Sequence, residues 1–214
     1  MNWPGHKDDW LRPRRRMIEE HLKGRDVTDP QVLFVMENVP RHLFVDQALA
    51  PEAYADRPLP IGYGQTISQP YMVACMTQAL ALSPSDRVLE IGAGCGYQTA
   101  VLSALAGEVC AIERLAPLHA ECLRNLAQLG VANAQVKLGD GRLGWPEKAP
   151  FQAVLAAAYD DKVPPPLVEQ LAPGGRLVMP VGVAEGQQLL LLTKDQRGRV
   201  AKRVLTSCRF VPLI

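Results

Sequence analysis

No run of apolar residues in this 214-residue chain approaches the roughly 18 that a membrane span needs. The first residues, Met1 to Met17, hold no apolar core of a secretory leader. Excess charge is missing too: 23 Lys and Arg stand against 22 Asp and Glu, a net charge of +1. No overall field therefore draws the protein toward nucleic acid, anionic lipid or acidic substrates, and partner choice must come from a local site. C-x-x-C is absent, and the five cysteines are an odd number at unrelated spacings, mostly inside apolar stretches where a free thiol behaves as a small hydrophobe. That usage favours a reducing compartment, and no Cys/His spacing resembles a zinc site. Internal repeats and low-complexity tracts are also lacking. The expectation is a monomer in the cytoplasm with no metal and no membrane or nucleic-acid partner. The one basic run, Arg12 to Arg16, is read as a solvated helix entry, the usual fate of so short a run.

What the chain does have is 48% apolar residues, enough to bury a proper core, arranged as an irregular first part and a regular remainder that meet near Ser83-Pro84. In the first part Asp29-Pro30 is an N-cap followed by a proline at the first helical position, and Val32, Val35, Met36 and Val39 recur at helical spacing before Pro40 ends the helix. Residues 51–70 carry too many prolines and glycines for a helix or a central strand. A long loop inside a compact domain, when ordered, tends to be a binding loop or lid. From Pro70 to Leu80 the pattern is helical again. In the remainder, strands are predicted at 87–91, 108–112, 134–138, 151–157 and 176–179, and helices at 97–105, 118–129 and 164–171. Such alternation implies βαβ units: an α/β fold with a mostly parallel sheet covered by helices on both faces. Residues 188–193 and 200–211, around the turn Asp195-Gln196-Arg197-Gly198, read as a terminal hairpin that supplies an antiparallel C-terminal edge. Met17, Met36, Met72, Met76 and the Leu189 to Leu192 run read as core packing.

The stretch Val88-Leu89-Glu90-Ile91-Gly92-Ala93-Gly94-Cys95-Gly96-Tyr97 is a strand, a glycine turn and a helix start, which lets backbone approach a ligand at the carboxyl edge of a sheet. Its spacing is G-x-G-x-G, so no room is made for a pyrophosphate as in dinucleotide binders. Glu90 closes the first strand, where it can accept from a cationic amino group. Glu113 closes the second, 17 residues after Gly96, where a carboxylate can take both hydroxyls of a ribose. Asp140, between Gly139 and Gly141, follows the third and suits an adenine amino group. Singly, Glu113 reads equally as a surface ion-pair residue and Gly139-Asp140-Gly141 as a plain turn. Together, three acidic residues ending three consecutive strands suit a nucleoside joined to an amino acid.

From about Arg14 onward the chain resembles the protein-L-isoaspartate O-methyltransferase family. The resemblance is carried by Arg14-Arg15-Arg16-Met17, Pro40-Arg41-His42-Leu43-Phe44-Val45, Gly62-Tyr63-Gly64-Gln65-Thr66-Ile67-Ser68-Gln69-Pro70, Gly96-Tyr97-Gln98-Thr99-Ala100, Ile112-Glu113-Arg114 and Gly139-Asp140-Gly141. Gly174-Gly175-Arg176-Leu177, Pro180-Val181-Gly182 and Arg209-Phe210-Val211-Pro212-Leu213 complete it. The most specific piece is Gly-Gln-Thr-Ile-Ser-Gln-Pro. The resemblance implies a Rossmann-like, doubly wound domain over residues 1–214, with 1–83 an N-terminal helical and active-site loop extension and 84–214 the cofactor-binding core. It implies S-adenosyl-L-methionine as cofactor and isoaspartyl-containing peptides and proteins as substrate. Ser68 would be the active-site hydroxyl beside the transferred methyl. Glu90, Gly92, Gly94, Glu113, Asp140 and Gly141 would hold the cofactor; Thr66, Ile67, Phe210, Val211 and Pro212 would form the substrate cleft.

Methyl transfer to a carboxylate needs no general base, because a carboxyl group with a pKa near ~4 is ionised at neutral pH. That agrees with four scattered histidines, His6, His21, His42 and His119, and no evident nucleophile and base pair. Where the family usually has Val-Thr-Ala-Ala, this chain has Ala156-Ala157-Ala158-Tyr159, a lost hydroxyl and an added phenol at a strand end expected to face the site. Cofactor binding without turnover, or a changed substrate, is the alternative this departure raises. Ser68 also has an alternative, as N-cap of the helix that begins at Pro70.

Overall fold

The computed structural model describes residues 10–214; His6 and most of the polar N-terminal stretch lie outside them. The helices are α1 (Leu11–Arg16), which runs on in π-helical turns over Met17–Lys23, α2 (Pro30–Asn38), α3 (Pro70–Leu80), α4 (Tyr97–Ser103), α5 (Ala116–Gln128) and α6 (Pro165–Glu169). The strands are β1 (Leu59–Pro60), β2 (Thr66–Ile67), β3 (Arg87–Ile91), β4 (Glu108–Glu113), β5 (Ala134–Leu138), β6 (Phe151–Ala156), β7 (Leu171–Val183), β8 (Gly186–Lys194) and β9 (Val200–Cys208). Seven of them form one sheet in the order β5-β4-β3-β6-β7-β8-β9, while β1 and β2 pair separately. The pairs from β5 to β7 are parallel and those from β7 to β9 antiparallel, as the Rossmann-like pattern with an antiparallel edge requires.

Alternation along the buried strands divides the core in two. Val88, Val109, Ala111, Ala153 and Leu155 face α3, α4, α5 and the N-terminal helices. Leu89, Ile91, Ile112, Val154 and Leu177 face the other way, toward Leu167 of α6 and the C-terminal Leu213. The order of connection reverses between β3 and β6, and ligands in open α/β sheets bind outside the carboxyl ends of strands at such a point.

Local signals explain most boundaries. The Asp29 side chain accepts from the N–H groups of Gln31 (2.8 Å) and Val32 (3.2 Å), a cap that contributes about 1 kcal/mol to α2. Pro70 starts α3, and Ala81 in a left-handed conformation ends it. The loop at 51–70 contains the small β1–β2 hairpin. β7 is much longer than 176–179: it begins at Leu171 through a register shift beside Phe151 and continues past Pro180 because β8 pairs with it as far as Val183. The basic run is not wholly solvated. Arg14 is buried, and its Nε donates to the Tyr54 hydroxyl at 3.0 Å. The helix turns it inward, so one of the run's arginines serves packing. The four methionines and most of the leucine run are core, as expected. Cys75, Cys95, Cys110 and Cys122 are buried free thiols, and Cys208 is half-buried. Among the described residues no helix is long and apolar enough to cross a membrane.

Candidate functional site

Two clefts adjoin at the carboxyl ends of β3, β4 and β6. The first lies between the glycine turn, the start of α5 and the C-terminal segment. Its floor is anchored to β4: the N–H groups of Gly92 (2.8 Å) and Ala93 (3.2 Å) both donate to the Ile112 carbonyl. Gly94 has φ +56°, and a Cβ there would meet Ile61 Cδ1 at 3.2 Å, so the β1–β2 hairpin closes over bare backbone. At Gly141 the reason is proximity alone: a Cβ would stand 2.3 Å from Ile91 Cγ2. Both glycines and Gly92 line the cleft.

Glu113, at the end of β4, is buried beneath this turn. One carboxylate oxygen accepts the Gly94 N–H and the other the Leu115 N–H, each at 2.8 Å. Every carboxylate oxygen has two lone pairs, so one remains on each oxygen, and Glu113 lines the cleft. Asp140 stands between two lining residues, Gly141 and Arg114. Its Oδ1 accepts from the Arg142 N–H at 2.9 Å, and its Oδ2 lies 3.7 Å from Arg114 Nη1.

Glu90 is placed differently from the sequence expectation. Alternation in β3 turns Ile91 into the cleft and Glu90 to the opposite face, behind the glycine turn, where it is fully buried. Among the described residues neither of its oxygens meets hydrogen-bond geometry with a partner, and its polar neighbour is the buried hydroxyl of Thr99 on α4. Burial raises its pKa to about 8 against the opposing pull of the Thr99 hydroxyl, and the charge of Glu113 adds to the rise, so the carboxyl is mostly protonated at neutral pH. The folded state then holds this proton more tightly than the unfolded chain does. The resulting stability is fully present below about pH 4.5 and is lost as the pH rises to about 8, by up to ~1.4 kcal/mol per pH unit. Glu90→Gln is expected to flatten the fall of stability with pH over that window; urea midpoints measured across it check this, and an unchanged slope would contradict it.

The second cleft opens between α3, the loop ahead of it and the end of β9. Phe210 lines it, Pro212 and Ile67 line the first, and four residues line both: Thr66, Ser68, Ala157 and Val211. Ser68 is thus at the junction. It does not cap α3: the cap position is Gln69, and the Tyr71 N–H donates to Asp56 Oδ1 at 3.2 Å. The structure therefore brings Ser68, Thr66, Ile67, Gly92, Gly94, Glu113, Gly141, Phe210, Val211 and Pro212 together, sets Asp140 beside them and leaves Glu90 behind.

The C-terminal wall is held by residues that no motif marked. Gln187, a buried polar side chain in β8, clamps Phe210 by accepting its N–H at 2.7 Å and donating to its carbonyl at 3.2 Å. Tyr159 clamps the next residues by main chain alone: its N–H donates to the Val211 carbonyl at 2.9 Å, and its carbonyl accepts the Leu213 N–H at 2.7 Å. Arg142 donates to the Leu213 carbonyl and pairs with Asp160. Of the departures at 156–159, Ala157 and Ala158 line the first cleft, whereas Tyr159 lines neither.

A parallel sheet with a glycine turn over its switch point and a carboxylate ending the next strand is the architecture of the Rossmann-like methyltransferases. The family model of protein-L-isoaspartate (D-aspartate) O-methyltransferases matches residues 12–214, and the chain belongs to that family. It is 52% identical over 201 residues to a protein-L-isoaspartate O-methyltransferase of Trichlorobacter lovleyi, covering 94% of this chain and 93% of the relative. It is likewise 52% identical over 206 residues to one of Methylorubrum extorquens, covering 96% and 90%. Among solved structures it is similar to a beta-aspartate methyltransferase from Plasmodium falciparum in complex with S-adenosyl-L-homocysteine, with a TM-score of 0.81 and 26% identity over 94% of this chain and 98% of that one.

Proposed function

We propose that the protein transfers a methyl group from S-adenosyl-L-methionine to the free α-carboxyl of L-isoaspartyl residues in damaged proteins. The observation that carries this reading is the meeting of the two clefts at Ser68, Thr66, Ala157 and Val211, in a chain of this family. The cofactor fits the residues present. The two free lone pairs of Glu113 suit vicinal ribose hydroxyls, the bare backbone of Gly92 and Gly94 admits close approach, and Gly141 with neighbouring Asp140 suits an adenine edge. Glu90 supports the turn from behind. When bound, S-adenosylmethionine supplies a methyl group on a sulfonium, a strong electrophile.

The protein's own work is placement. Ser68 donates to the acceptor carboxylate and aims one oxygen into the first cleft, while Thr66, Phe210 and Val211 wall the substrate in the second cleft and Ile67 and Pro212 close the cofactor side of the junction against water. The acceptor is ionised without help, so no residue has to remove a proton. Ala157 lacks the hydroxyl usual in the family, which leaves Ser68 and Thr66 as the hydroxyls common to both clefts. Methoxide leaves more readily than the oxygen of an ionised carboxyl, so the neighbouring backbone nitrogen attacks the ester carbonyl, methanol departs with the nitrogen's proton, and water opens the resulting succinimide partly to normal aspartate.

The reading is tested by incubating the protein with S-adenosylmethionine and an isoaspartyl peptide and following the peptide by chromatography. A base-labile ester, then succinimide, then the normal aspartyl peptide are expected. Cofactor binding with no ester formed would refute the reading.

A further inference from the structure

Arg41 is fully buried, yet among the described residues no carboxylate pairs with it. Its Nε donates to the Ala53 carbonyl and its Nη2 to the Ser68 carbonyl, both at 2.7 Å. Among the described residues its Nη1 has no hydrogen-bond partner, and its guanidinium carbon stands 4.8 Å over the ring of Tyr97, a residue of the first cleft. A buried unpaired cation is costly, and an apolar side chain of similar volume would serve packing better. The geometry of its bonds supplies another reason for it. Arg41 joins the two ends of the segment 53–68, within which the β1–β2 hairpin sets Ile61 over Gly94. The turn that carries Arg41 is itself locked: His42 stacks on Trp10 with centroids 4.4 Å apart, and its Nδ1 is 2.8 Å from the Tyr54 hydroxyl. The same hydroxyl accepts from Arg14 Nε, so Tyr54 ties α1 to the turn that carries Arg41.

We infer that Arg41 is a positioning residue for methyl transfer: its planar fork fixes the main chain of Ser68, and so the place of the Ser68 hydroxyl at the junction of the two clefts. The inference rests on the role proposed for Ser68. A lysine would keep the charge but not the rigid fork that meets two carbonyls at once, so Arg41→Lys discriminates geometry from charge.

The test compares Arg41→Lys, Ser68→Ala and the double variant for kcat and KM on an isoaspartyl peptide, for S-adenosylmethionine affinity and for thermal unfolding. Arg41→Lys is expected to lower kcat by about 10²-fold, the scale set by misplacement of about 1 Å, with KM and cofactor affinity near those of the parent. In the Ser68→Ala background it should add little, since both changes remove the same placement. Normal kcat in Arg41→Lys beside an impaired Ser68→Ala would overturn the inference alone; normal turnover in Ser68→Ala would overturn the reading of Ser68 itself. Full additivity, or a parallel loss of cofactor affinity and stability, would also overturn it. Where lysine is not tolerated, Arg41→Gln, a planar donor without the buried charge, is expected to show the same kcat loss. Failure of both variants to fold would assign Arg41 to the fold and overturn the inference too.

Discussion

Glu113→Ala is expected to lower the affinity for S-adenosylmethionine by about three orders of magnitude, the consequence of two lost hydrogen bonds to a charged acceptor at about 1.5–3 kcal/mol each. The same substitution strands the N–H groups of Gly94 and Leu115, which the two oxygens accept at 2.8 Å. Each stranded donor costs about 1–3 kcal/mol where water cannot replace the acceptor, so the glycine turn should loosen and the melting temperature fall. Glu113→Gln keeps one acceptor oxygen and turns an amide against the other N–H, and should lie between the two. Calorimetric binding together with thermal unfolding checks this. Binding within about twofold of the parent would mean that Glu113 serves the turn and not the ribose.

For Ser68→Ala the expected result is a fall in kcat/KM on an isoaspartyl peptide of about 10²-fold with cofactor affinity intact. A carboxylate loses charge as it takes up a methyl group, so a hydrogen bond to it is no stronger in the transition state than before it. Its value is in aim. Because Gln69 holds the cap position of α3 and Asp56 accepts the Tyr71 N–H, removing the hydroxyl should cost no more than ~0.5 kcal/mol of stability. Steady-state kinetics with a denaturant midpoint separates the two effects. A large loss of stability with unchanged turnover per folded molecule would return Ser68 to a structural role.

Elements with strong local signals were legible from residues alone. Asp29-Pro30 and Pro70 opened helices where expected, and β3 and β5 have their predicted bounds. β7 escaped because its ends are decided by partners: a register shift beside Phe151 and pairing with β8 carry it across Pro173, Gly174 and Pro180, which locally argue against a strand. The site was legible where it is contiguous. The glycine turn, the Thr66-Ile67-Ser68 segment and the end of β4 come together as their motifs imply. Glu90 lies off the cleft lining because a one-residue step along a strand reverses the face, and Ile91 takes the cleft. Arg41, Gln187 and Arg142 act across 27, 23 and 71 residues, and nothing in their own neighbourhoods marks such partners.

Two peptides that differ only in the linkage at one aspartyl residue distinguish this activity from any other carboxyl methylation. With labelled S-adenosylmethionine, a base-labile label is expected on the isoaspartyl peptide and none on its normal aspartyl twin. Equal labelling of both, or a label that survives base, would contradict it.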